Sequence, residues 1–291
     1  MLNREEIEKI EDKALKHRKM NDLGTESPIG VNIFDIIENQ YESFLLLYPL
    51  KSRNIAGFTR KKGDFIQIFV NTNFDKGFQN FVGAHELYHL IQFQEKDKDN
   101  FILCKKTDVL DTIDESEINL EELKANYFAA AFLLPREVVF DRFKKVREFK
   151  YSEEDLILEI IKLQFQFEVP YKTILKRLRE LDIIDNKYYE KLKVYEHNIL
   201  GYCKMMDQSI EDNIKDLITS NSRKYHTINV PKIAADVYKN SLISFAKLED
   251  IIWKYDKEAT DFNIIKPEIK PIDIDFSNFG IGDDDDDIEE D

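Results

Sequence analysis

The sequence predicts an α+β protein, with a few short strands near the N-terminus, helices through most of the rest, and a mainly helical C-terminal part. Three observations lead there. Apolar residues make up 43% of the 291 and charged residues 34%, which allows a real core and argues against a disordered chain. Between residues 44 and 71 the pattern is dense in β-branched and aromatic side chains, and the glycine of Lys61-Lys62-Gly63-Asp64 reads as a hairpin turn. From Phe74 onward the apolar period changes to steps of three and four, which is helical.

Taken in order, residues 3 to 20 read as a charged helix that ends in the turn residues 21–28. Val31 to Asn39 has helical spacing, with Pro28 just before it. Strand-like pieces follow at 44–48, 55–60 and 65–71, then a helix from Phe74 to about Gln94. Residues 95 to 116 form a polar connection with a short strand at 101–104. A second long helix runs from Glu117 to Leu134 and stops at Pro135. Helical patterns continue at 136–147, 153–166, 171–181, 187–200, 208–219 and 231–258, and the chain ends in the acidic run DDDDDIEED.

The totals exclude several classes. A formal net charge of −15 repels nucleic-acid phosphates, so an extended DNA-binding face would need a locally basic patch. Two cysteines, Cys104 and Cys203, stand far apart, which argues against a disulfide scaffold and against a thiolate zinc cluster. The N-terminus lacks an apolar signal region, and the longest apolar run, Phe44 to Leu50, is too short to span a bilayer. The expectation is a cytoplasmic protein with no membrane partner.

The chemistry-bearing motif is HELYH, His85 to His89. Residues four apart on a helix share a face, so both imidazoles can reach one ion, and zinc accepts such nitrogens at about 2.0–2.1 Å. Glu86 borders that face and can take a proton from a reacting water, the arrangement of HExxH metalloproteases. Two of only five histidines fall in this pentapeptide. The ordinary alternative is a pair of satisfied core histidines, which a third ligand would rule against. The metzincin pattern fails, because its third histidine would fall where Gln92 and Glu95 stand. The second long helix offers Glu122 instead, with Asn126 four residues on to orient a ligand. Glu121 is a neighbouring rival. Ala129 and Ala130 are small enough to let the two helices approach closely.

The segments IFVNTN, FVGAHELYHL and ELKANYFAAAFLLP, in this order and spacing, resemble the ImmA/IrrE family of metallo-endopeptidases. The likeness covers about residues 25 to 195, weakening through EVPYKTILKRLREL; Tyr88 stands where glycine is usual and could narrow access to the metal. The resemblance implies a gluzincin-like fold, with a small twisted sheet packed on the HExxH helix and helices around it. It implies Zn2+ held by His85, His89 and Glu122, Glu86 as general base, and Asn126 behind the ligands. The divisions that follow are a charged helix (1–24), a zinc metalloprotease core (25–150), a helix-turn-helix-like appendix (151–200), a C-terminal helical module (201–265) and a disordered acidic tail (266–291). An oxyanion donor is also needed; Tyr127, Tyr151 and His197 are chemically able, and the sequence selects none.

Family members resembling this chain cleave helix-turn-helix repressors, often encoded beside them, so the implied partner is such a repressor of a mobile element or stress response. If the strand 65–71 forms the sheet edge near the metal, an extended peptide could add to it as another strand. Two rivals remain. One is a DNA binder built on the helices of 153–181, which lack a basic surplus. The other is a zinc-containing, non-catalytic regulatory or toxin–antitoxin component acting through protein binding, for which the intact Glu86 has no use. Iron, manganese or cobalt could occupy the same ligands.

Overall fold

In the computed structural model, which describes every residue except 1, 42, 96–97, 110–118, 149–151, 207–214, 216, 220–221, 227–228, 254–256 and 268–291, the N-terminal charged stretch is helix α1 (Arg4–Met20). Its start is fixed by a capping box in which the Asn3 side chain accepts from the Glu6 N–H and the Glu6 carboxylate accepts from the Asn3 N–H. A short helical passage follows, 3-10 at Gly30–Asn32, α-helical at Ile33–Asp35 (α2) and π at Ile36–Gln40.

The strands are β1 (Phe44–Tyr48), β2 (Ile55–Lys62), β3 (Phe65–Asn71) and β4 (Asn100–Lys105). They form a mixed four-stranded sheet in the order β4-β2-β3-β1, which a two-residue strand β5 (Tyr225–His226) extends beside β1. β1 runs parallel to β3, and the β2–β3 and β2–β4 pairs are antiparallel. The tight β2–β3 turn is made by Gly63 at φ +57, the left-handed region that favours glycine. β3 therefore lies inside the sheet, and the expectation that it is the edge is corrected. A local hairpin seats β3 beside β2, but β1 pairs with β3 from a distance and closes its other side. β4 is the outer strand at the opposite end of the order.

Residues on one face of a sheet alternate along each strand. Leu45, Ile68, Thr59 and Ile102 are aligned across the four strands. This face meets α3 (Lys76–Gln94), since Thr59 bonds Glu86 and the Lys61 ammonium donates to the Phe93 carbonyl. Asp75 caps α3 by accepting from the Phe78 N–H. Nearly every residue of α3 is buried, as expected of a helix enclosed on all sides. α4 (Lys106–Val109) leads from β4 towards α5 (Leu120–Leu133). Buried Ala125, Ala129, Ala130 and Ala131 keep α5 slim enough to lie against its neighbours.

Beyond Pro135 come α6 (Arg136–Glu148), α7 (Glu153–Phe167), α8 (Tyr171–Glu180), α9 (Asn186–Lys193) and α10 (Ile199–Met206). The expected helix at 187–200 is interrupted by a 3-10 passage, Val194–Asn198. Two fully buried arginines tie this part together. Arg18 of α1 donates to the carbonyls of Phe132, Gly24 and Ser27. Arg177 of α8 donates to the Leu134 carbonyl and pairs with Glu11 of α1 at 2.7 Å.

Two compact units result, Met1–Thr227 and Ile228–Asp291. Divisions placed at 24, 150 and 200 from sequence fall inside the first unit, because α1, α7 and α8 contribute Ile10, Ile160 and Ile174 to one continuous core. The second unit holds α11 (Asn229–Lys239) and α12 (Phe245–Trp253) over a small core of Ala234, Ala235, Leu248, Ile252 and Ile264. The single helical stretch expected at 231–258 is split there, with Ser241 at φ 59 in the turn between them. The acidic run of the tail lies outside the described residues, as does most of the expected helix at 208–219. Among the described residues no helix is long and apolar enough to cross a membrane.

Candidate metal centre

The motif HELYH occupies the buried middle of α3, and Glu122 and Asn126 sit four residues apart on α5. His85 Nε2 is 3.2 Å from His89 Nε2 and 3.1 Å from Glu122 Oε2, and His89 Nε2 is 3.4 Å from Glu122 Oε1. Three corners of a tetrahedron around an ion with bonds of about 2.0–2.1 Å stand roughly 3.3–3.4 Å apart. The three side chains fit a metal cation closely.

The orientation of His85 is set from behind. Its Nδ1 lies 2.9 Å from Asn126 Oδ1, and the Asn126 amide donates to the Asp108 carbonyl at 2.6 Å. With that amide fixed, Oδ1 accepts the Nδ1 proton and Nε2 faces the cluster. Asp108 belongs to α4, so the turn after β4 steadies this histidine through Asn126.

Electrostatics suit a cation. Burial opposes ionisation of Glu122, but hydrogen bonds and charge from His85 and His89 outweigh it and hold the carboxyl well below the usual carboxylate range. Burial pulls His89 down against the Glu122 carboxylate, favouring a neutral ring. At His85 burial is outweighed by Cys104 and Glu122, which hold the imidazole well above its usual range, so a cation bound there would displace the His85 proton. Burial pushes the Glu86 carboxyl up to about 8, against the pull of His85 and of the Thr59 hydroxyl. Glu86 is fully buried, and its Oε1 has no hydrogen-bond partner.

The sequence matches an IrrE N-terminal-like model of the M78 peptidases over positions 45–179, a span that includes most of the four main strands, α3 and α5. Residues 45–179 are an IrrE N-terminal-like domain. The IrrE-like domain covers both HELYH and the Glu122–Asn126 pair, as the resemblance in sequence led us to expect. No curated protein matches the chain. Among solved structures, a Mycobacterium tuberculosis transcriptional regulator matches at 16% identity with a TM-score of 0.39, over 59% of this chain and 46% of its own. The chain thus spans under half the length of that regulator.

Of the eight residues singled out from sequence, His85, Glu86, His89, Glu122 and Asn126 come together in the IrrE-like domain. Tyr127 turns away: its hydroxyl donates to Glu11 at 2.9 Å and the Arg177 guanidinium covers its ring. His197 is exposed on the 3-10 passage after α9. Tyr151 lies outside the described residues.

Two residues at the cluster were not foreseen. Cys104 of β4 is fully buried, and its sulfur lies within 4.8 Å of ligand atoms of His85 and Glu122. The sequence reading gave the cysteines no part in the site, and a single thiol remote in sequence stands among these groups. Burial pushes this thiol up to about 12. Thr59 of β2 is the other, donating to Glu86 Oε2 at 2.6 Å. Neither has a sequence pattern of its own; both arrive through strand register. Glu121, the rival to Glu122, pairs with Lys124 on the outside of α5.

Proposed function

We propose that the chain is a zinc-dependent endopeptidase of the gluzincin type that cuts an intracellular regulatory protein, such as a helix-turn-helix repressor. What carries this reading is the convergence of His85, His89 and Glu122 at ligand spacing beside a buried, half-satisfied Glu86. Bound there, zinc supplies Lewis acidity, polarising the scissile carbonyl and lowering the pKa of water.

The protein's own groups supply the rest. His85 and His89 would hold the ion through their Nε2 atoms, His85 steadied by Asn126. Glu122 offers an ionised carboxylate. The Glu86 carboxylate takes the proton of the attacking water and delivers it to the leaving amine, so no net proton is lost. An extended substrate can add to β4 as a further strand, because no described strand pairs with its outer edge. β4 also carries Cys104, which brings such a peptide past the cluster.

The test is co-expression with a helix-turn-helix repressor encoded beside the gene, comparing wild type with Glu86→Gln. Cleavage should vanish in the variant while bound zinc stays near one per chain. Cleavage that survives the substitution would rule out the general-base role.

The position of Cys104 favours one second reading, a closed four-ligand zinc site in a non-catalytic regulatory component. Cobalt substitution separates the two. A sulfur-to-cobalt charge-transfer band that disappears in Cys104→Ala supports the closed site, and its absence in wild type supports an open one.

A further inference from the structure

We propose that Thr59 is the positioning residue of the general base, and that Gly57 and Thr59 of β2 together form a cradle for the Glu86 carboxylate. This rests on the peptidase reading above and adds the residues that make Glu86 competent. Thr59 is fully buried, and its hydroxyl lies 2.6 Å from Glu86 Oε2 and 3.3 Å from the Glu86 main-chain carbonyl. It has one proton and two acceptors on the same residue. It donates to Oε2 while the carboxylate is ionised. The Glu86 main-chain carbonyl gives the same hydroxyl a second acceptor, so it is held against Glu86 from two sides. The base keeps a partner and a fixed direction.

Gly57 supplies the space. A Cβ at this position would come within 2.7 Å of Glu86 Oε1, 2.8 Å of the Phe69 carbonyl and 2.9 Å of Val82. These are backbone and packed atoms that cannot give way cheaply. Oε1 is left buried and without a hydrogen-bond partner beside the bare strand. Thr59 holds one carboxylate oxygen and leaves the other unbonded. An ordinary buried glutamate would satisfy both.

The experiment compares Thr59→Val and Thr59→Ser with wild type and Glu86→Gln, each loaded with zinc, using a peptide library made from a bacterial proteome as the probe. Thr59→Val should slow turnover 10- to 100-fold with KM and zinc content unchanged, and Thr59→Ser should restore most of the rate. A second readout needs no activity: in urea unfolding of the metal-free protein, Thr59→Val and Glu86→Gln should be coupled by about tenfold in the unfolding constant. Glu86-dependent cleavage that Thr59→Val leaves within twofold of wild type overturns this proposal alone, as does a Thr59→Ser variant no faster than valine, or an absent coupling. Wild-type protein with no Glu86-dependent cleavage overturns the peptidase reading and this proposal together.

Discussion

Two buried polar clusters share helix α5, and they are built on opposite principles. Around Arg177, opposite charges answer one another: the guanidinium meets both Glu11 oxygens and the Leu134 carbonyl, and the Tyr127 hydroxyl donates to Glu11. Arg177 Nη1 faces Glu11 as an ion pair without hydrogen-bond geometry. Around Glu122, atoms able to ligate a cation converge instead. Two imidazole nitrogens and a carboxylate stand within 3.4 Å of each other, and Glu86 keeps an oxygen without a partner. A buried ion pair answered by its neighbours holds the fold together, whereas imidazoles and a carboxylate brought to ligand spacing are arranged to bind a cation.

Four measurements sharpen or break this contrast, and the largest effect belongs to the closed cluster. Arg177→Ala leaves the largely enclosed Glu11 carboxylate without its cation and with only the Tyr127 hydroxyl, so urea unfolding should show a loss of about 3–5 kcal/mol. Removing both partners, with Arg177→Met and Glu11→Leu, should recover most of it. A loss under about 1 kcal/mol in the single variant would end the claim that this pair locks α1 and α8 onto α5. At the open cluster, Glu122→Gln should weaken zinc binding roughly 100-fold or more in a competition titration with a chromogenic chelator. It should also cost the metal-free protein stability at neutral pH, because His85 and His89 hold the Glu122 carboxyl below its usual range in the fold; an apo variant as stable as wild type would contradict that pairing.

Asn126→Ala should weaken zinc roughly 10-fold, at the low end of the effect expected for a group that orients a ligand. An unchanged affinity would mean that His85 is held by packing alone. The last effect is on pH-dependent stability and concerns His17, on α1 beside the closed cluster's helix. Burial pulls this imidazole down to about 4, with Lys13 and Lys16 adding to the shift, and its Nδ1 lies 2.6 Å from the Tyr41 hydroxyl. The folded protein then binds the proton less readily than the unfolded chain. Stability is fully present above about pH 6.5 and should fall as pH drops towards 4, by on the order of 2 kcal/mol relative to His17→Gln. Parallel pH curves for the two proteins would show that His17 is not held neutral by the fold.

The site was unevenly readable for a physical reason. HELYH and the Glu122–Asn126 pair obey helical spacing, a local property, so four residues apart is enough to place each pair on one face. The acceptance of Glu122 by the histidines needed two helices to pack, and the run of small alanines in α5 made that readable too. Tyr127 misled because chemical ability says nothing about direction: one step along the helix from Asn126 turns it by about 100°, onto Glu11 and Arg177. Thr59 and Cys104 could not be foreseen, because a one-residue change in strand register sends a side chain to the other face of the sheet.

The sequence by itself determined the kinds of group present and their local spacing. It marked the HELYH helix, the ligand helix after it, the hairpin at Gly63 and the strand at β4. Only the tertiary structure decided which strand lies at the edge, which cysteine enters the cluster, and which carboxylates are satisfied. Those outcomes depend on contacts between residues far apart in the chain, such as β1 with β3 or Arg177 with Glu11, and no local period records them. The opening motif supplied the imidazoles; folding supplied the distances at which they can act.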